Sequence, residues 1–209
     1  MRIRPQAVIF DYGNVLSQPQ PLADIEAMAA ILELPASQFR EFYWRFRLAY
    51  DSAELDPPTY WNAVARTAAR ELTPAQIADL VEIDSRSWAH PAPSVPEWAH
   101  ALARTGIRIA LLSNMPVPVR EHVVGCAWLP RFDNCTFSCD LGISKPSPAI
   151  YLHCLQELGV SPAEALFLDD REENVRAAEA LGMHGVEFTT PAKAAAEVEE
   201  RFALPTGLA

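Results

Sequence analysis

Four short stretches carry groups that could act on a phosphate ester. Asp11 follows the apolar run Ala7–Phe10 in AVIFDYGNVLS, Ser113 and Asn114 follow IALL, Lys145 sits in LGISKPSPAIY, and Asp169 and Asp170 close ALFLDD. Each is ordinary by itself. An Asp at a strand end caps a turn, and an acidic pair before a helix complements its dipole. Together they form a set. A carboxylate can attack phosphorus to form an aspartyl-phosphate, but two anions repel, so a cation must lie between them. Mg²⁺ favours hard oxygen ligands and takes one or two carboxylates while keeping several waters. Asp11 and one of Asp169 and Asp170 can supply those. Lys145 adds a fixed positive charge, and it is conspicuous in a chain with 15 Arg and one other Lys, Lys193. Ser113, with backbone N–H groups at a helix start, can hold phosphate oxygens.

These groups act together only if the fold gathers them. The runs at 7–10, 107–113, 135–138, 165–170 and 184–188 read as strands, with helical patterns at about 95–105, 117–124, 148–158 and 171–181 between them. Strands this apolar are covered on both faces, which implies a parallel sheet in an α/β fold. Ligands bind such sheets beyond the carboxyl ends of the strands, where Asp11, Ser113 and Asp169/Asp170 all fall. Residues 18–90 break the alternation with four helical patterns, at 21–34, 37–55, 57–73 and 74–90. Pro21, Pro35, Pro57/Pro58 and Pro74 stand near their starts, with Ser37 and Thr73 as N-caps. The expectation is a Rossmann-like core of residues 1–17 and 91–209, with a four-helix cap, 18–90, inserted after the first strand and lying over the functional edge. Residues 191–209 read as one helix with a loose end.

The chain has 209 residues, half of them apolar, which suffices for a sizeable core. Its formal net charge of -10 repels nucleic acid and anionic lipid, so neither is an expected partner. No apolar run is long enough for a membrane span, and the N-terminus reads as a first strand rather than a signal peptide. Cys126, Cys135, Cys139 and Cys154 show no paired spacing and read as reduced thiols in a cytoplasmic protein. The expected partner is a small phosphorylated molecule, and the chain is a monomer or homodimer.

The motifs FDYGNV, LLSN, DLGISKPSPAIY and FLDDREENVRAAEALGM resemble the haloacid dehalogenase superfamily, in particular its first subfamily with a helical cap and the small-sugar-phosphate phosphatases within it. That resemblance covers nearly the whole chain. It implies a Mg²⁺-dependent phosphatase in which Asp11 is the nucleophile, Ser113 and Lys145 hold the phosphoryl group, and Asp170 ligates the metal. The Gly13 carbonyl is a further ligand, and Asp169 acts mainly through its neighbours. Asn114, as a substrate-binding residue, and Asn174 shape the site by hydrogen bonding, or both are structural. Most phosphatases of this superfamily carry a second Asp two residues after the nucleophile as general acid and base. Here that position is Gly13, which leaves water, Tyr12 or His90 as substitutes. On FREFYWRFRLAYD, Arg40, Trp44, Arg47 and Asp51 share a helical stripe. Trp44 can form a platform for a sugar and Arg47 can meet phosphate or hydroxyls, or both can be structural. The stripe WNAVARTAA reads as core. Two other readings remain. One is a phosphometabolite binder without turnover, motivated by Gly13. The other is a 2-haloacid dehalogenase, which resembles the chain at LSN but lacks the paired acidic metal site.

Overall fold

The computed structural model describes residues 4–202 and 204. Five strands, β1 (Ala7–Phe10), β2 (Arg108–Ser113), β3 (Asn134–Phe137), β4 (Ala165–Asp169) and β5 (His184–Glu187), form one sheet in the order β3-β2-β1-β4-β5. Every pairing is parallel. β1 lies at the centre, with Phe10 opposite Leu111 on one side and Leu168 on the other. All carboxyl ends therefore reach the same edge, and the side chains that follow β1, β2 and β4 emerge together.

The apolar runs are sorted by strand period. Val8, Phe10, Ile109, Leu111, Leu166 and Leu168 face one layer, which contains Trp98, Val119 and Val198. These come from helices α6 (Val95–Ala103), α7 (Val117–Val124) and α11 (Pro191–Arg201). Ala7, Ile9, Ala110, Leu112, Ala165 and Phe167 face the other, with Ile150, Tyr151, Leu155 and Ala178 from α9 (Pro148–Leu158) and α10 (Glu172–Ala180). The sheet is covered on both faces, as its continuous hydrophobicity requires. A four-residue helix, α8 (Ser138–Leu141), follows β3 directly and has no separate signature in the sequence. The end of the expected 191–209 helix lies outside the described residues.

Residues 18–90 hold five α-helices rather than four: α1 (Leu22–Ile31), α2 (Ala36–Arg45), α3 (Arg47–Asp51), α4 (Pro57–Thr67) and α5 (Pro74–Ser87). The pattern expected as one helix over 37–55 breaks at Phe46, whose backbone leaves helical geometry (φ -113, ψ 5). Thr73 caps α5 in a capping box with Gln76. Ser37, expected to do the same for α2, is already inside the helix, and Pro35 occupies the cap position. Helices α1–α5 share their own buried cluster, including Phe39, Tyr43, Tyr60, Trp61, Val64 and Leu80, so the WNAVARTAA stripe is core.

Ile9 is fully buried in the central strand. Ile9→Ala is expected to cost ~2–5 kcal/mol of unfolding free energy, measured by urea denaturation. A loss below about 1 kcal/mol would contradict the packing described.

Candidate active site

β1 ends by delivering Asp11 to the sheet edge. The Asp11 N–H donates to the Leu168 carbonyl at 2.8 Å, and Oδ1 accepts from the Tyr12 N–H at 2.7 Å. The chain then turns through Gly13 and through Asn14, which adopts a left-handed conformation (φ 59, ψ 1). Asn tolerates this better than most residues. The turn lets Asn14 Nδ2 donate to Asp170 Oδ2 at 2.8 Å, joining the segments after β1 and β4.

Lys145 arrives from the loop before α9, and its side chain is 1% exposed. Its Nζ lies 2.7 Å from Asp11 Oδ1 and 2.6 Å from Asp169 Oδ2, and it donates to the Leu112 carbonyl at 3.1 Å. Burial would lower the pKa of this ammonium, but the two carboxylates outweigh it and hold the pKa above the ordinary value. Asn114 fixes the loop: its Oδ1 accepts from the Lys145 N–H at 2.8 Å and its Nδ2 donates to the Lys145 carbonyl at 3.0 Å. Both ends of its amide are therefore spent on positioning Lys145. Ser113 closes β2 and lines the cavity above Asp11.

The two acidic side chains differ in burial and partners. Asp169 is fully buried; besides Lys145 it accepts from the Arg171 N–H at 2.9 Å and from Asn174 Nδ2 at 2.9 Å. Asp170 lines the cavity, and Asp169 does not. Asp11, Asp169 and Asp170 each offer one oxygen within 4.8 Å of the others. With all three ionised, a single ammonium faces three carboxylates, a deficit of two positive charges. Burial raises the Asp11 pKa to about 7 against the opposing pull of Lys145, and Asp169 and Asp170 add to the rise. An all-oxygen, doubly anionic cluster has the chemistry that suits a hard divalent cation.

The cavity, about 650 Å³, is closed on its far side by the helical segment through Trp44, Arg47, Leu48, Asp51 and Trp88. Trp44 stands at the mouth, 53% exposed. Arg47 is buried. Its Nε donates to Asp51 Oδ1 at 2.6 Å, and its Nη1 bonds Asp84 at 3.0 Å and the Tyr43 hydroxyl. Nothing in the sequence singled out Asp84, because its partner lies 37 positions away across two helices. Of the other stripe members, Arg40 is exposed and does not line the cavity. The Tyr12 hydroxyl donates to the Trp88 carbonyl at 2.7 Å, and burial raises its pKa, so it is not free to exchange protons. His90 lies outside the cavity lining, with Nε2 4.0 Å from Asp24. The four cysteines are unpaired.

Residues 5–182 match the profile of the haloacid dehalogenase-like hydrolases. The chain belongs to that family. It is 29% identical to hexitol phosphatase B of Escherichia coli over 95% of this chain and 88% of that protein. It is 27% identical to a sesquiterpene phosphatase of Aspergillus oryzae over 88% of this chain and 90% of that one. A 108-residue stretch is 41% identical to mouse acyl-CoA dehydrogenase family member 10, of which it spans 10%. Among solved structures, a haloacid dehalogenase family enzyme of Bacteroides thetaiotaomicron, in complex with magnesium and inorganic phosphate, shares the fold. The TM-score is 0.65 at 20% identity, covering 88% of this chain and 93% of that one. An L-2-haloacid dehalogenase shares it too, with a TM-score of 0.68 at 21% identity over 92% and 86%. The chain is thus a phosphatase-like hydrolase of this family. Among the described residues, no helix is long and apolar enough to cross a membrane.

Removing the ammonium leaves two buried carboxylates without their cation. Lys145→Met is expected to lower the unfolding free energy by ~3–5 kcal/mol in metal-free buffer. A urea titration showing no loss would contradict the placement of Lys145.

Proposed function

We propose that the chain is a Mg²⁺-dependent phosphatase of small phosphomonoesters, sugar phosphates among them, working through an aspartyl-phosphate on Asp11. The observation that carries the reading is the cluster at the strand ends: three carboxylates within 4.8 Å of one another, with Lys145 Nζ bonded to two of them. Asp11, Asp170 and the Gly13 carbonyl would hold Mg²⁺, with Asp169 steadying the arrangement through Lys145 and Asn174. The bound ion would offset the negative charge and let a phosphate enter beside the carboxylates.

The chain's own residues then have defined tasks. Lys145 and Ser113 hold phosphoryl oxygens, while Asn114 keeps Lys145 in place. Asp11 attacks phosphorus in line with the leaving alcohol, and water later cleaves the acyl phosphate. Trp44 and Leu48 at the mouth offer apolar surface to the organic part of the substrate. The likeness to hexitol phosphatase B supports a hydroxylated substrate. The acidic pair Asp169-Asp170 favours this reading over dehalogenation, for which the structural neighbours supply the fold alone. Gly13 motivates the second reading, a binder that captures a phosphometabolite without turnover.

With p-nitrophenyl phosphate and Mg²⁺, the chain is expected to turn over. Asp11→Asn should abolish the activity, and EDTA should do so reversibly. Activity untouched by both changes would overturn the proposal. Stabilisation by Mg²⁺ and phosphate without any turnover would favour the binder.

A further inference from the structure

Gly13 leaves position 13 without a side chain that could donate a proton. A Cβ built on Gly13 would touch the Trp88 ring at 3.4 Å, an ordinary van der Waals contact, so Trp88 lines the space beside this position. A donor other than water has to come from elsewhere in the cavity wall. Asp11 and Asp170 belong to the anionic cluster, Lys145 is held by two carboxylates, and the Tyr12 hydroxyl is bonded to Trp88. Arg47 and Arg171 do not give up protons near neutral pH. Two carboxylates remain. Glu173 sits at the rim, more than half exposed and ion-paired with Arg171. Asp51 is buried and faces the cavity from the last position of α3.

Asp51 is also fastened to the phosphate-holding loop. Its carbonyl accepts from the Ser138 hydroxyl, and Ser138 Oγ in turn accepts from the Met115 N–H at 3.0 Å, two residues after Ser113. One hydroxyl therefore ties the end of α3 to the loop that follows β2. Of the Asp51 carboxylate, Oδ1 is taken by Arg47 Nε at 2.6 Å, whereas among the described residues no hydrogen bond engages Oδ2.

We propose that Asp51 is the general acid and base that position 13 lacks, acting through Oδ2 on the leaving oxygen and then on the attacking water. The proposal rests on the phosphatase reading. As Asp11 bonds to phosphorus and the ester P–O bond breaks, the proton on Asp51 Oδ2 passes to the departing oxygen, and the alcohol leaves neutral. In the second half, the Asp51 carboxylate takes a proton from water as that oxygen bonds to phosphorus. The P–O bond to Asp11 breaks, and carboxylate and phosphate are released. The surroundings suit both roles. Burial raises the Asp51 pKa to about 6; Arg47 and, more remotely, Arg171 pull it down, and Asp84 pushes it up. A group poised near the working pH can serve as acid and as base.

The test compares wild type and Asp51→Asn on aryl phosphates of graded leaving-group acidity, with Mg²⁺ present. p-Nitrophenolate departs without a proton, whereas phenolate needs one. Asp51→Asn is expected to slow phenyl phosphate by ~10²-fold or more and p-nitrophenyl phosphate by no more than about tenfold. Equal losses on both substrates, or no loss on either, would overturn the assignment. In case the variant fails to fold, wild type decides alone: a shallow dependence of kcat/KM on leaving-group acidity supports an internal acid, and a steep one overturns it. Wild type inert toward p-nitrophenyl phosphate would overturn the phosphatase reading and this proposal together.

Discussion

The ammonium of Lys145, wedged between Asp11 and Asp169 at 2.7 and 2.6 Å, is the interaction on which the site depends. It lets two buried carboxylates approach without driving each other apart, and it leaves the cluster short of positive charge once Asp170 is counted. A buried charge is tolerable only when paired and hydrogen-bonded. Here every partner has a second function: Asp11 is aimed at the cavity, Asp169 anchors Asn174, and Asn114 grips the lysine's own backbone. The arrangement is stable enough to persist and anionic enough to call for a divalent ion.

The sheet makes that arrangement cheap to build. Parallel pairing with β1 in the centre puts the residues after β1, β2 and β4 at one edge, so groups more than 100 positions apart in sequence meet without any long loop. The helical segment completes the cavity from above. Its contribution differs in kind from that of the core. Arg47, Asp51, Asp84 and Tyr43 form a buried polar network, of which Arg47 and Asp51 line the cavity.

The sheet and the acidic cluster were legible in the sequence because both rest on local patterns: apolar runs that end in carboxylates, and turn residues that follow them. Which of Asp169 and Asp170 lines the cavity was not legible in composition, since adjacent aspartates are alike and differ only in which donors surround them. The break at Phe46 was hidden because the apolar periodicity of 37–55 continues across it. Arg47 read equally well as a substrate contact or a structural residue; it lines the cavity and also pairs with Asp84 on α5, a partner the local sequence could not show. Tyr12 and His90 were reasonable proton donors by type. A hydrogen bond to Trp88 takes up the first, and its position outside the cavity removes the second.

The central claim is that the charge deficit at the strand ends is filled by one hard cation. Diffraction from crystals soaked in Mn²⁺, a stand-in for Mg²⁺ with a usable anomalous signal, tests it most directly. One strong anomalous peak is expected, coordinated by carboxylate oxygens of Asp11 and Asp170 and by the Gly13 carbonyl. No peak there, or Lys145 Nζ filling the position with the metal bound elsewhere, would contradict it.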